Sequence, residues 1–322
     1  MKTNCDNSKT KTGCEPRWAH SHKPNVVYGF TIIELLTVMS IIILLISLLV
    51  PALNRVRRYA LLVKQNAQFH AISIALDLFN AEEQGYPPSD RLDPTGPPGL
   101  SYCGAMKLAE AMVGQDFLGF NPDSQFRRNG TIPGPPVIQL YPVNPPADNI
   151  KYRKTYLQLE NANATKLVDI YTPAHLAGTA YAAITDANLV LCDVYVRTMA
   201  TGNKVGMPIL YYRANPSKTD HLRVPPNLVA DLDKNIYDRR DNQELVDIPL
   251  PWVTPVGPVH PMASAGNTMF GVAADAGIFY DETRDKKITA PARPSRADSY
   301  ILMSAGFDNE YGTSDDVFNF GQ

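Results

Sequence analysis

The stretch Gly29-Phe30-Thr31-Ile32-Ile33-Glu34 opens an uncharged run of nineteen residues that extends from Leu35 to Leu53. At about 1.5 Å per residue, a helix of this length spans about 28 Å, close to the hydrocarbon thickness of a bilayer. The run therefore predicts a transmembrane helix over about residues 35–53. A carboxylate beside such a segment is costly unless it has a partner, so Glu34 is expected to have a specific role.

The segment before this helix is basic. Residues 1–29 carry five lysines and arginines against two carboxylates, a net charge of +3. An ordinary secretory signal would place its apolar core before the cleavage point, whereas here the apolar run follows the glycine. By the positive-inside rule, residues 1–29 are expected in the cytoplasm and the chain after Leu53 outside. Arg55, Arg57 and Arg58 argue weakly for the opposite orientation.

The phrase from Gly29 to Glu34, with its apolar continuation, resembles the N-terminal motif of type IV pilins and type II secretion pseudopilins. The resemblance implies that a prepilin peptidase removes residues 1–29 as a leader by cutting between Gly29 and Phe30, and that it methylates Phe30. It also implies that Glu34 pairs with the α-amine of Phe30 on a neighbouring subunit of a filament. An unpaired charge in an apolar bundle is expensive, so this pair would select the register of stacked helices. The alternative is an interfacial Glu34 solvated by lipid headgroups.

The helical pattern continues beyond the apolar run. One face is predicted to carry apolar side chains at spacings of three, four and seven: Leu62, Phe69, Ile72, Leu76 and Phe79. The polar residues Lys64, Gln65, Asn66, Gln68 and Asp77 are predicted to lie largely elsewhere on the wheel. The pattern predicts one long helix over residues 30–84.

Prolines and glycines mark the limits of this helix. Pro51 lies inside it and is expected to kink it or loosen its hydrogen bonds. Gly85, Pro87 and Pro88 are expected to end it. The segment Gly85-Tyr86-Pro87, followed by Gly99-Leu100, resembles the turn after the long helix in major pseudopilins.

The remaining chain, residues 85–322, is predicted to form one globular domain outside the membrane. A second helix is expected from Ser101, as its cap, to Val113, with Gly114 as its terminator. Strands are expected over residues 189–196, 208–213 and 299–304, and a loop over residues 121–148. We expect an α+β, pilin-like fold in which the long helix packs on a small antiparallel sheet. Residues 121–267 are an insertion with no assigned role.

The C-terminal stretch from Ser304 to Asp316 places four carboxylates within nine residues. Calcium takes six to eight oxygen ligands, which a short loop of carboxylates and backbone carbonyls supplies. The spacing differs from that of an EF-hand. It resembles the calcium loop of type II secretion major pseudopilins, and this resemblance implies Asp308, Asp315 and Asp316 as ligands. Glu310 is a further candidate that could equally face solvent, and an ordinary acidic surface turn is the alternative to a calcium site.

Four cysteines are present, of which Cys5 and Cys14 lie in the leader. Cys103 and Cys192 remain as an even pair in an expected oxidising compartment, so they form either a disulfide or two small buried thiols. The whole chain has a net charge of −2, which becomes about −5 without the leader. A domain with this acidic balance lacks the excess of basic residues that is typical of proteins that bind nucleic acid.

These features predict a structural subunit rather than an enzyme. The six histidines are scattered, and the sequence has no nucleophile elbow, phosphate-binding glycine loop or Cys-x-x-Cys pair. The pairs Asp231/Asp233 and Tyr211/Tyr212 would be weak evidence for a glycan-binding patch, but such residues are more often surface turn and sheet core.

The resemblance implies a single-pass subunit of the bacterial inner membrane with its C-terminal domain in the periplasm. It further implies assembly into a type II secretion pseudopilus with other copies of itself, minor pseudopilins and the inner-membrane assembly platform. The alternatives are a type IV pilus subunit for adhesion or motility, and a membrane-anchored binding module.

Overall fold

The computed structural model describes residues 29–91, 93, 101–179, 181–182, 188–223, 233–254, 256–266, 268, 274–288 and 290–321. The leader up to residue 28, the pair Gly99-Leu100 and Asp231 lie outside these residues. The chain divides into two compact units, Met1–Asn54 and Arg55–Gln322. The fold is α+β, as predicted from the sequence.

Helix α1 (Ile32–Glu83) has 52 residues and contributes to both units. It begins two residues after the predicted start and ends one residue before the predicted end. It remains helical through Pro51, and the Gly85-Pro87-Pro88 stop is confirmed. Its most apolar window has a mean hydropathy of 2.8 and is fully exposed. This helix is long and apolar enough to cross a membrane.

The second half of α1 buries Phe69, Ile72, Leu76 and Phe79, as the periodicity predicted. Leu62 was predicted on this face but is 38% exposed. Gln65 and Gln68 were predicted off this face, and that prediction was wrong because both are buried. Each of the two buried glutamines forms a side-chain hydrogen bond with the backbone. Gln65 Oε1 accepts from Val194 N (3.0 Å), and Gln68 Nε2 donates to Cys192 O (2.9 Å).

Helix α2 (Gly104–Val113) is buried along its whole length and packs against two strands, β4 (Leu189–Leu191) and β7 (Leu210–Arg213). Its N-cap residue is Cys103, which corrects the prediction of Ser101. The side chain of Asn242 satisfies the first turn instead, because its Oδ1 accepts from Ala105 N at 2.8 Å. Gly114 ends the helix, as predicted, with φ of +76°, and a Cβ there would lie 2.2 Å from Gly119 O.

The main sheet has three antiparallel strands in the order β7-β8-β9, where β8 is Tyr300–Ser304 and β9 is Val317–Phe318. Leu210 pairs with Met303 and Arg213 with Tyr300, while Met303 also pairs with Phe318. The two predicted strands at 208–213 and 299–304 are thus confirmed to within two residues. Three two-stranded antiparallel ribbons complete the described sheets: β1 (Thr131–Ile132) with β2 (Ile138–Gln139), β3 (Ala164–Lys166) with β4, and β5 (Arg197–Thr198) with β6 (Lys204–Val205).

A strand was predicted over residues 189–196, but β4 ends at Leu191. Beyond it, Cys192 N donates to Asn163 O (3.0 Å) and Asp193 N donates to Met207 O (2.9 Å), and side chains bind further backbone groups. Asn163 Nδ2 donates to Cys192 O (3.0 Å) and Asp193 O (2.7 Å), and the two glutamines of α1 bind the same segment. The backbone groups are therefore paired without a regular ladder.

The other described helices are short and lie between the strands: α3 (Ala147–Lys151), α4 (Leu159–Ala162), α5 (Leu167–Ile170), α6 (Pro173–Leu176), α7 (Arg240–Val246) and α8 (Ile278–Thr283). Strands β1 to β7 all fall within residues 121–267, so this segment, predicted as an insertion, supplies much of the core. One hydrophobic cluster joins the buried face of α1 to α2 and to the inner side of β7 and β8. Because β9 follows the acidic stretch directly, the main sheet holds both ends of that stretch.

Candidate functional site

The first candidate site is the start of α1, where Thr31 and Glu34 form a reciprocal pair. The Thr31 N–H and hydroxyl donate to Glu34 Oε2 at 2.9 and 2.8 Å, and the Glu34 N–H donates to Thr31 Oγ1 at 3.2 Å. This geometry is a capping box, which satisfies N–H groups that a helix start leaves without partners. Gly29 and Phe30 precede it in exposed chain without regular secondary structure.

The second candidate site is the stretch from Ser304 to Asp316, called here the acidic loop. Near its start, Gly306 has a φ of +68°, and a Cβ there would lie 2.2 Å from Asp315 O. Only glycine therefore permits this approach of the two ends of the loop. The Asp308 N–H donates to Asp315 Oδ2 at 3.0 Å and closes the loop. Asp316 Oδ2 accepts from Gly312 N (2.7 Å) and Thr313 N (3.1 Å). The side chains of Asp315 and Asp316 thus accept hydrogen bonds from backbone N–H groups of the same loop and stabilise its conformation.

Three carboxyl groups of the acidic loop have raised pKa values. Burial, with the neighbouring Asp315, raises the pKa of Asp308 to about 7. Burial, with the charge of Glu282, raises the pKa of Asp316 well above its usual range. Burial also raises the pKa of Glu310, an effect that Arg197 partly offsets. A raised carboxyl pKa means that the loop accumulates negative charge only at a cost.

Glu310 was expected either to contribute a ligand or to face solvent, and the structure places it in the interior at 3% exposed. Its Oε2 is buried and, among the residues that the structure describes, has no hydrogen-bond partner. Asp308 and Asp315 are partly exposed, and Asp316 is buried. The four sequence-predicted residues therefore lie together in one compact loop, with at least one oxygen that a cation could use.

Three residues that no local sequence pattern indicates contact or support the acidic loop in the structure: Glu282, Arg197 and Asp193. Glu282 on α8 lies close enough to Asp316 for its charge to raise the pKa of that carboxyl, so it brings a further carboxylate to the loop. Arg197 donates from Nη1 to Asp308 O at 3.2 Å and stacks on Trp252 with its guanidinium carbon 4.0 Å from the ring centroid. Arg197 is thus a cation already fixed at the edge of the loop.

Asp193 supports the acidic loop from the core. Its Oδ2 accepts from Ser304 Oγ (2.7 Å), which in turn accepts from Gly306 N (3.2 Å). Its Oδ1 accepts from Met207 N (3.1 Å) and Tyr195 N (3.2 Å). Burial raises the pKa of Asp193 to about 7 despite these bonds.

Side chains alone do not complete a metal site here. Across the part of the chain that the structure describes, no group of three or more His, Cys, Asp or Glu side chains is arranged to hold a metal ion. A calcium ion in the acidic loop would therefore need backbone carbonyls in addition to carboxylates, which is a normal ligand set for this ion.

Cys103 and Cys192 are both buried and free in the structure, which corresponds to the buried-thiol alternative. Burial raises the pKa of both thiols, so neither is a ready nucleophile. Tyr211 and Tyr212 lie in the sheet core, at 0% and 1% exposed, so they offer no surface to a glycan.

Of the contacts at the two candidate sites, only the capping box has a recognisable pattern in the sequence. The spacing of Thr31 and Glu34 is that of a capping box and could have been recognised. Glu282, Arg197 and Asp193 lie far from the acidic loop in sequence, and no local pattern connects them to it.

Comparison with known proteins adds no assignment. No protein-family profile, no curated protein and no solved structure matches this chain.

Proposed function

We propose that this chain is a structural subunit of a type IV pilus-like filament, and more specifically a type II secretion pseudopilin that drives protein export. The observation that carries the proposal is the start of α1. An exposed glycine–phenylalanine junction precedes a capped helix whose first nineteen residues after Glu34 are uncharged and exposed. In the proposed function, a prepilin peptidase cuts between Gly29 and Phe30, and bundled copies of α1 form the filament core.

The capping box is compatible with the proposed pairing between subunits. Both bonds from Thr31 reach the same oxygen, Oε2 of Glu34. The Thr31 N–H belongs to the Phe30–Thr31 peptide bond, so cleavage before Phe30 leaves the box intact. Glu34 can therefore cap its own helix and present Oε1 to the α-amine of a neighbouring subunit. N-methylation keeps that amine positive.

The acidic loop favours a secretion pseudopilin over a pilus subunit for adhesion or motility. In the proposed function, Asp308, Asp315 and Asp316 hold calcium, with Glu310 as a further ligand. The raised pKa values of Asp308 and Asp316 and the unpartnered Glu310 Oε2 fit a site that a cation neutralises. Bound calcium would supply charge neutralisation and fix the loop that joins β8 to β9.

The proposed location is the bacterial inner membrane, with α1 spanning it once and the rest of the chain in the periplasm. The proposed partners are other copies of the chain, minor pseudopilins and the inner-membrane assembly platform. A membrane-anchored binding module remains the competing function, because it needs the apolar helix but neither cleavage nor assembly.

Processing separates these functions directly. The full chain is expressed in a bacterium with and without a prepilin peptidase, purified from membranes and analysed by N-terminal sequencing and mass spectrometry. The expected N-terminus is methylated Phe30 in the presence of the peptidase, and Gly29→Leu should leave the precursor uncut. An intact N-terminus in both strains would support the binding module and remove the basis of the filament proposal.

Assembly and secretion form the second stage of this test. Cross-linking and electron microscopy of sheared filaments should show multimers of the cleaved chain only. Loss of a secreted protein from the medium on deletion of the gene, with twitching and adhesion unchanged, would favour secretion. The reverse pattern would favour a pilus.

A further inference from the structure

A cleft of about 580 Å³ lies beside the acidic loop, and it is lined by residues 282, 284–287, 295–296, 313–314, 318 and 320–321. One wall is a short crossing of two chain segments. The Asp285 N–H donates to Arg293 O at 2.8 Å, and the Ser295 N–H donates to Thr283 O at 2.9 Å. The backbone of this wall is therefore held by the fold.

Cationic side chains dominate the lining of this cleft, which is called here the basic cleft. They are Arg284, Lys286, Lys287 and Arg296, against two carboxylates, Glu282 and Asp285. Asp285 Oδ1 accepts from Lys287 N (2.8 Å), and Glu282 lies beside Asp316, so the lining has four cations against two carboxylates. A concave surface with an excess of one charge concentrates ligands of the opposite charge.

One of these cations is held in place. Arg296 Nε donates to Ser299 Oγ at 3.3 Å, and its guanidinium carbon lies 5.1 Å from the centroid of the Tyr300 ring. Lys286 and Lys287 are exposed on the turn after α8. The cleft thus combines an anchored guanidinium with two exposed ammonium groups, which suits an anion that is bound through several oxygens.

The lining of the cleft also includes hydroxyl and aromatic groups. Ser295 and Ser314 line the cleft and can hydrogen-bond an oxyanion. Phe318 and Phe320 stack on each other with ring centroids 5.0 Å apart and planes 24° from parallel. The two rings give the cleft a flat apolar surface beside its cations.

We propose that the basic cleft binds a phosphate monoester whose phosphate lies among the cations and hydroxyls and whose cyclic apolar body lies against Phe320. A phosphate carries nearly two negative charges and three strong acceptor oxygens, which matches the number and type of donors better than a carboxylate does. The rings would contribute through apolar contact with the body of the ligand. The cleft shares Ser314 with the acidic loop, and Glu282 lies beside Asp316, so phosphate binding is tested in the absence of calcium.

Binding can be measured on the full chain in a neutral detergent, in buffer without calcium or added phosphate. Phenyl phosphate and inorganic phosphate are the two probes, followed by isothermal titration calorimetry and by ³¹P NMR line broadening. Both probes should bind, and phenyl phosphate should bind several-fold more tightly. The Lys286→Gln/Lys287→Gln double variant should lose about tenfold or more in affinity for both probes.

Two further variants separate the parts of the site. Phe320→Leu should reduce the preference for phenyl phosphate while leaving the affinity for inorganic phosphate unchanged. Arg293→Gln is the matched control, because Arg293 is an exposed arginine of the same segment that does not line the cleft, and its affinity should equal that of the wild type.

Three results would overturn the proposal: no heat and no line broadening at millimolar probe, a double lysine variant that binds as well as wild type, or an equal loss in Arg293→Gln. Both lysines are exposed, and thermal melts of each variant verify that it is folded. The outcome does not depend on the N-terminal processing that tests the proposed function.

Discussion

The guanidinium carbon of Arg58 on α1 lies 4.3 Å from the centroid of the Phe307 ring in the acidic loop. Arg58 belongs to the basic group after the apolar run that argued weakly against the proposed orientation. In the structure this arginine instead holds the acidic loop against the long helix. A cation–π contact of this kind contributes about 0.5–1 kcal/mol at an exposed site.

A double-mutant cycle on Arg58 and Phe307 measures this contact. Phe307→Leu and Arg58→Gln should each lower the free energy of unfolding, and the coupling between them should be about 0.5–1 kcal/mol. Denaturant unfolding of the full chain in detergent gives the four values. Arg57→Gln is the control for arginine loss, and additive effects would show that the contact contributes nothing.

Glu34→Gln separates charge pairing from helix capping. Glutamine can replace glutamate in a capping box but carries no charge. We expect Glu34→Gln to be cleaved and inserted normally and to form far fewer filaments, because its pair with the α-amine of Phe30 is lost. Filament yield from sheared cells is the measurement, with Glu34→Val as the variant that loses both roles. If Glu34→Gln assembled like wild type, capping would be the whole role of this residue.

Calcium should stabilise the chain through the acidic loop. The gain follows RT ln(1 + [L]/Kd), about 2.7 kcal/mol at a hundredfold excess over Kd. Thermal melts in detergent should show this gain with calcium, its reversal by chelator and a poor response to magnesium, which demands a tighter octahedral site.

Variants of the loop carboxylates sharpen the calcium test. Asp308→Asn and Asp316→Asn should raise stability in chelator, because they remove charges that are costly there, and they should abolish the response to calcium. Asp123→Asn, at an exposed carboxylate outside the loop, should keep the wild-type response. Stabilisation by the loop variants without any calcium response in the wild type would identify the loop as an acidic turn.

The side chain of Gln65 is predicted to stabilise the packing of α1 against the segment at Val194. Gln65→Leu leaves the Val194 N–H buried without its acceptor, which costs about 1–3 kcal/mol. The neighbouring Asn66→Leu changes an exposed side chain and should alter the free energy of unfolding by no more than about 0.5 kcal/mol. Equal effects of the two variants in denaturant unfolding would contradict the hydrogen bond.

Acid should destabilise the chain through His260. Burial lowers the pKa of His260 to about 3, and its Nδ1 accepts from Tyr311 N at 3.2 Å. The unfolded chain binds a proton at His260 near pH 6.5 and the folded chain does not, so stability falls as pH drops from 6.5 towards 3. Between pH 6.5 and 4.5 the wild type should lose about 2 kcal/mol more than His260→Gln. Parallel unfolding curves at the two pH values would contradict this prediction.

The sequence predicted those parts of the fold that depend on local pattern. The face of α1 from Phe69 to Phe79, the end of α2 at Gly114 and strand β8 follow from periodicity and turn residues. The burial of Gln65 and the early end of β4 do not, because both depend on hydrogen bonds between residues more than a hundred positions apart. The same limit applies to the start of α2. Ser101 was predicted to cap this helix, but the side chain of Asn242, which is distant in sequence, binds its first turn instead.

The candidate site divides in the same way. Asp308, Glu310, Asp315 and Asp316 are close in sequence, so their clustering was predictable. Glu282 and Arg197 reach the loop from α8 and β5, and their effect on its charge is a property of the tertiary fold alone.

The side-chain pairing beyond β4 also bears on aggregation. An exposed strand edge with unpaired backbone groups can recruit a strand from another molecule. From Cys192 to Val194 this route is closed, because the segment is buried and its backbone groups are already bound. The N–H groups of Cys192 and Asp193 donate to the backbone, and side chains of α1 and Asn163 bind Cys192 O, Asp193 O and Val194 N. In the proposed filament, where copies of the chain would lie side by side at high local concentration, this segment would offer no edge for amyloid-like association.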